Sequence, residues 1–173
     1  REALAIAGVH RSYQKGIDGN GVDGASAIVI SGGFVDDFDF GDQIIYTGEG
    51  GNDPISGKQI ADQDINSPGN SGLITSMKNS YPVRVVRSSK HKSTFAPESG
   101  YRYDGLFYVK DCKLTKGKDG FDIVRFVLNK DHIEPLKVNL FTLVQLEQIN
   151  SKNEIKFTWY SIGIDPPDNF NAL

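Results

Sequence analysis

Three stretches carry residue types that could do chemistry: SGGFVDD at 31–37, YTGEGG at 46–51 and YDG at 103–105. Adjacent glycines adopt φ > 0 readily and let a ligand approach the backbone closely. Phe34 and Tyr46, each beside a glycine pair or run, could form opposite walls of a flat slot. The paired acids Asp36 and Asp37 could accept hydrogen bonds from a base edge. With Asp39 and Asp42 they could instead hold Mg²⁺ for phosphodiester hydrolysis. The pattern alone leaves a plain glycine-rich turn open as well. Nuclease chemistry lacks its usual company: no E-x-K or D-x-K sits beside a suitable strand pair, and no histidine cluster stands with paired cysteines.

Charge gives a second lead. The whole chain is −3, yet residues 65–97 contain no acid and five bases: Lys78, Arg84, Arg87, Lys90 and Lys92. The other 140 residues hold 22 acids and 14 bases, hence −8. A basic segment on an acidic body is a candidate anion-binding face, or simply a solvated loop and strand. Cys112 is the only cysteine, so an internal disulfide and a cysteine-based zinc site are excluded. His10, His91 and His132 supply a multi-histidine metal site poorly. No metal and no cofactor is expected.

These residues must be positioned by short elements. The 173 residues fit one ordinary domain. No apolar run approaches the roughly 18 residues of a membrane span, and no signal-peptide pattern opens the chain. A cytoplasmic setting is the default. Arg1 in place of Met points to a piece of a longer protein. Residues 12–24 read as a long, mobile, glycine-rich loop. Strands are predicted at 25–30 (ASAIVI), 43–47 (QIIYT) and 82–87 (PVRVVR), with a hairpin over 104–113 and 120–129. A helix is predicted over 70–80, with Asn70 as N-cap and Leu73, Ile74 and Met77 on one face. Residues 140–147 and 154–161 read as a further strand pair, although 140–149 could equally be a short helix. The tail, DPPDNFNAL, reads as a terminus or linker. The class is α+β, mainly β: a curved barrel with a few helices outside.

Five blocks occur in order: GVHRSYQKGIDG (8–19), ISGGFVDD (30–37), YTGEGGND (46–53), PVRVVR (82–87) and YRYDGLFYV (101–109). Together they resemble the SRA domain, also called YDG or SET-and-RING-associated domain, from about Ala7 to Asp131. Residues 1–134 are taken as this domain and 135–173 as a C-terminal extension. The resemblance implies a curved, PUA-like β-barrel that reads modified cytosine in double-stranded DNA by flipping the base into a pocket. Phe34 and Tyr46 match the two aromatic walls. Asp37 matches the carboxylate that accepts from cytosine N4, a donor that thymine lacks. Ser31, Gly32, Gly33 and Thr47 match backbone contacts to the other base edges. Asp36 and Asp39 are expected as turn-capping or surface acids. Glu49 departs from the family's usual small polar residue; it either points away or hydrogen-bonds a 5-hydroxymethyl group.

Two loops match those that enter the duplex. Gln14, in the loop with Lys15, stands at the wedge position. Lys90, His91 and Lys92 match a second loop and are expected on phosphates, with Arg11 and Arg84 or Arg87. That second loop is shorter than in animal relatives, so hemimethylated CpG is not the expected target. Asp104 and Gly105 are expected to be structural. The opening residues resemble the bacterial form found with HNH-type nucleases in modification-dependent restriction. The catalytic domain would then lie outside this chain, which would not itself be an enzyme. The alternatives are a Mg²⁺-dependent nuclease using the 36–42 acids, a eukaryotic, nuclear chromatin reader, and a β-barrel module for a protein or peptide.

Overall fold

The computed structural model describes residues 1–53 and 56–130 in full, and 144–149 and 155–159 as backbone strands. The chain divides into two compact units, Arg1–Asp131 and His132–Leu173. The first contains α1 (Glu2–Ile6), β1 (Ile17–Asn20), β2 (Gly24–Ile30), β3 (Phe38–Asp39), β4 (Gln43–Thr47), α2 (Pro68–Asn79), β5 (Val83–Ser88), β6 (Tyr101–Lys116) and β7 (Asp122–Lys130). The strands form one sheet in the order β1-β2-β5-β6-β7-β4-β3. The domain is mainly β, as expected. The sheet is curled and not closed, because β1 and β3 end it without pairing to each other. In the second unit β8 (Val144–Ile149) pairs antiparallel with β9 (Ile155–Trp159). The expected strand pair is there, and 144–149 are not helical. The tail lies outside the described residues.

The apolar run of β2 is buried along nearly its whole length because strands flank it on both sides: β1 antiparallel and β5 parallel. Ile28, Ile30, Ile44, Leu73, Phe107 and Phe126 are fully buried and anchor the core. The glycine-rich stretch 12–24 is not one mobile loop. Ile17 enters the core, β1 pairs with β2, and Asn20 closes the turn by accepting from the Val22 and Asp23 amides.

Helix α2 starts two residues earlier than expected. Pro68 takes the first turn, where its missing N–H is harmless. The helix is closed by Ser80 in the left-handed region, φ 53°. It docks through small residues as much as apolar ones. A Cβ on Gly72 would meet the Asn20 backbone at 3.0 Å. The Ser76 hydroxyl accepts from the Ala25 amide and donates to the Ala25 carbonyl.

The YDG motif forms a bulge. Arg84 and Val86 of β5 pair with Leu106 and Tyr103 of β6, so Val85 alone faces Asp104 and Gly105. Gly105 has φ +100°, which a bulge of this kind needs and a side chain resists. The bulge brings Asp104 to Arg87, 3.1 Å from Nη1. Asp39 meets the same guanidinium at 2.8 Å through both oxygens. Burial alone would raise the Asp39 carboxyl, but the Arg87 hydrogen bond and the Gly41 amide hold it below its ordinary value.

Arg87→Ala should therefore cost about 3–5 kcal/mol, because it leaves Asp39 buried and uncompensated. Urea unfolding at neutral pH measures this. The Asp39 contribution is present above the unfolded carboxylate value of about 3.9 and is lost as pH falls through the lower folded value. Asp39→Asn should lose that part of the acid dependence; an unchanged acid limb would remove Asp39 as its source.

Candidate nucleic-acid interface

A pocket of about 290 Å³ opens where β2, β4 and the turn after β2 meet. Phe34 and Tyr46 both line it, as do Ser31, Gly33, Asp37 and Glu49. Gly32 does not. Its φ is +72°, and a Cβ there would meet the Lys90 carbonyl at 2.9 Å. It serves to pack the turn against the loop after β5. Thr47 is buried just behind the wall. The two aromatics differ. Tyr46 is a member of the hydrophobic core with 3% exposed, whereas Phe34 is half-buried and depends on its turn.

The floor is polar. The Thr47 amide donates to Asp37 Oδ1 at 2.7 Å. Burial pushes the Asp37 carboxyl up to about 7, against the pull of the Thr47 bonds and with help from nearby Asp36. The Thr47 hydroxyl favours the charged Asp37, yet it is fully buried and makes no well-formed hydrogen bond among the described residues. Unsatisfied buried hydroxyls are uncommon, and this one stands beside an acid of raised pKa. Burial, then Asp37, also raises the Tyr46 hydroxyl.

Side-chain amides hold the loop after β4. Asn70 Oδ1 accepts from the Glu49 amide, and its Nδ2 donates to the Glu49 and Asp64 carbonyls. Gln63 donates to the Gly48 and Gly50 carbonyls and accepts from the Val124 amide. Gln59 donates to the Gly50 and Ala61 carbonyls. A Cβ on Gly48 would lie 2.3 Å from Asn70 Oδ1, which explains the glycine. Asn70 is thus no N-cap, and Gln59 and Gln63 carried no signal in the sequence. Their partners lie far along the chain, and single amides have no periodicity.

The family model for the SAD/SRA domain matches residues 1–133. The chain belongs to the SAD/SRA family. A solved structure named as the modification-dependent TagI restriction endonuclease is 46% identical, with TM-score 0.73, over 76% of this chain and 47% of that one. The SUVH5 SRA domain, solved with fully methylated CG DNA, is 36% identical with TM-score 0.62, over 75% of this chain and 82% of that one. The E3 ubiquitin-protein ligase UHRF1 of Xenopus laevis is 36% identical over 155 residues, covering 78% of this chain and 20% of the ligase. This SRA chain therefore spans about a fifth of the length of the curated relatives it matches. Among the described residues no helix is long and apolar enough to cross a membrane.

The expected duplex-facing residues of the SRA domain separate into two groups. Gln14 and Lys15 are exposed and line the pocket rim, where Arg1 joins them with a hydrogen bond to the Lys15 carbonyl. Lys90 and Lys92 are also exposed. The Arg11 side chain is 71% exposed and pairs with Asp18. Arg87 and His91 do not fit a phosphate role. Arg87 is neutralised by Asp39 and Asp104, and His91 is buried beside that pair, its pKa lowered by burial. The basic segment is thus less basic on its surface than in its sequence.

The acids of 36–42 do not converge. Asp36 is buried and accepts from the Lys118 amide; Asp37 faces Thr47; Asp39 faces Arg87. Of the two roles expected for Asp36 and Asp39, turn-capping holds for Asp39, which accepts from the Gly41 amide, and Asp36 is not a surface acid. Among the described residues no three His, Cys, Asp or Glu side chains gather in a metal-binding arrangement.

Asp37 is held in a site that disfavours its charge. Its raised folded value means that its neutral form stabilises the fold below about 3.9 and that this stability is lost as pH rises through about 7. Asp37→Asn should therefore gain stability relative to wild type between pH 5 and pH 8. Parallel urea curves at the two pH values would refute a raised Asp37.

Proposed function

We propose that this SRA domain reads 5-modified cytosine in double-stranded DNA by taking the base out of the helix and into the Phe34–Tyr46 pocket. One observation carries the reading: Asp37 lines the same pocket as Phe34 and Tyr46, with its carboxylate held by the Thr47 amide. A cytosine would give Asp37 its N4 amino donor. Thymine would set a carbonyl oxygen against the carboxylate, so the pocket rejects it without a steric clash. Flipping costs a few kcal/mol of lost pairing and stacking. Stacking on aromatics gives roughly 1–3 kcal/mol per base, and a hydrogen bond to a charged group about 1.5–3 kcal/mol. The pocket can offset the extrusion.

The SUVH5 SRA domain, solved with fully methylated CG DNA, supports the ligand class. The similarity to TagI supports a restriction setting, with this chain as the recognition part and catalysis in a domain outside it. Gln14, at the rim, would fill the space the base leaves or bond the orphaned guanine. Lys15, Lys90 and Lys92 would hold phosphates.

The decisive experiment titrates otherwise identical duplexes bearing cytosine or 5-methylcytosine at one position. Wild type should prefer the modified duplex, and Asp37→Ala should weaken modified-DNA binding by roughly 1–3 kcal/mol. A folded Asp37→Ala that binds the modified duplex with wild-type affinity would remove Asp37 as the reader. Phe34→Ala should weaken modified-DNA binding by a similar ~1–3 kcal/mol, and is a cleaner test than Tyr46→Ala, which also breaks the core. A fluorescent pyrimidine at the target position should change its emission with wild type and much less with Phe34→Ala. Emission that never changes would point to reading without extrusion. Lys90→Ala/Lys92→Ala should lower the slope of log affinity against log salt by about 0.9 for each phosphate no longer neutralised. An unchanged slope would place the phosphate-binding groups elsewhere.

A further inference from the structure

Glu49 puts a second carboxylate in the pocket, and recognition of the cytosine ring leaves it without a task. It lines the same cavity as Asp37. It is also fixed. Its Oε1 accepts from the Gly69 amide at 2.6 Å, at the start of α2. Its own amide and carbonyl are both bonded to Asn70. Pro68 has no N–H, so Gly69 offers the amide there, backed by the positive end of the helix dipole. A Cβ on Gly69 would lie 2.6 Å from Glu49 Cδ and Oε2, so the carboxylate settles there only because residue 69 is glycine. A carboxylate has about four acceptor sites, so one amide does not exhaust it.

We infer that Glu49 selects the C5 substituent by charge, admitting cytosines whose C5 group is neutral and refusing 5-carboxylcytosine. The inference rests on the pocket reading: with Asp37 on N4, the adjacent ring position, C5, faces the neighbouring wall. A methyl group there brings no charge. A hydroxymethyl group can donate to Glu49. A carboxyl group brings a like charge beside fixed acids in a partly desolvated cavity, where repulsion is strong. A mobile glutamate would swing aside and discriminate little. The helix terminus and the Asn70 clamp prevent that.

The test titrates the whole chain at neutral pH with four duplexes that differ at one position: cytosine, 5-methyl-, 5-hydroxymethyl- and 5-carboxylcytosine. Wild type should bind the carboxyl duplex more than about tenfold more weakly than the methyl duplex, given the strong penalty for like charges in contact. Glu49→Gln should narrow that ratio by most of its span. Gly69→Ala keeps the charge but displaces the carboxylate, and should narrow it too. It also keeps the question answerable should Glu49→Gln not fold. Wild type that prefers methylcytosine to cytosine yet binds the carboxyl duplex equally well overturns the Glu49 assignment and leaves the pocket reading intact. A ratio unmoved in the folded variants overturns it as well. Wild type with no preference for methylcytosine over cytosine overturns the pocket reading, and the Glu49 assignment with it.

Discussion

Arg87, next to last in β5, has 3% of its surface exposed, and an isolated charge buried to that extent would outweigh the stability of a small domain. It is tolerated because carboxylates reach it from two directions, Asp39 in β3 and Asp104 in the β6 bulge, and because the Gly41 carbonyl accepts from it. Ser93 donates to Asp39, which draws the loop after β5 into the same knot, and the Phe95 and Phe107 rings lie over the guanidinium. β3 is only two residues long. Arg87 adds to that strand's short pairing with β4 a charged anchor for the end of the turn that presents Phe34 and Asp37. The YDG bulge, the SGGF turn and the basic loop are therefore mutually dependent. An apolar set can match the stability of such a network; the charged one fixes directions, and the pocket needs directions.

The same physics runs the other way at Asp37. Arg87 is surrounded by opposite charge; Asp37 has an amide, a hydroxyl and another acid nearby, and its carboxyl rises to about 7. A fold selected only for stability would have an amide or an apolar group there. Thr47 stands beside it, with a buried hydroxyl that has no well-formed partner among the described residues. Local rules broken side by side, inside a cavity, mark a place where the sequence answers to something other than folding.

Local signals are the legible ones. The strands at 25–30 and 43–47, the hairpin of β6 and β7, and the glycine–aromatic–acid turns can be read because their cause lies within a few residues. What is not legible depends on partners distant in sequence. Nothing near Asn70 says that it will clamp Glu49, and nothing near Gln63 points to Val124. Summed charge misleads for the same reason: Arg87 counts as a base in the sequence but is cancelled by Asp39 and Asp104, both far along the chain. Glycine content misleads at 12–24, because Ile17 enters the core and pairs the segment into the sheet.

The rim and the wall of the pocket share their supports. His10 is fully buried, with Nδ1 3.0 Å from the Ser12 carbonyl and Nε2 3.4 Å from the Gly16 carbonyl. A neutral imidazole has one N–H, and burial lowers the His10 pKa, so the ring donates to one of the two carbonyls and packs against the other. Ser12 Oγ then accepts from the Gln14 and Lys15 amides, which shapes the exposed tip. Gly16 closes the loop: its carbonyl accepts from the Val29 amide, and a Cβ there would lie 2.7 Å from the Tyr46 hydroxyl. The tip that would enter the duplex thus rests, through Gly16, against a ring that the core already holds. In the proposed mechanism, the loop could insert only from a position that the Tyr46 wall sets.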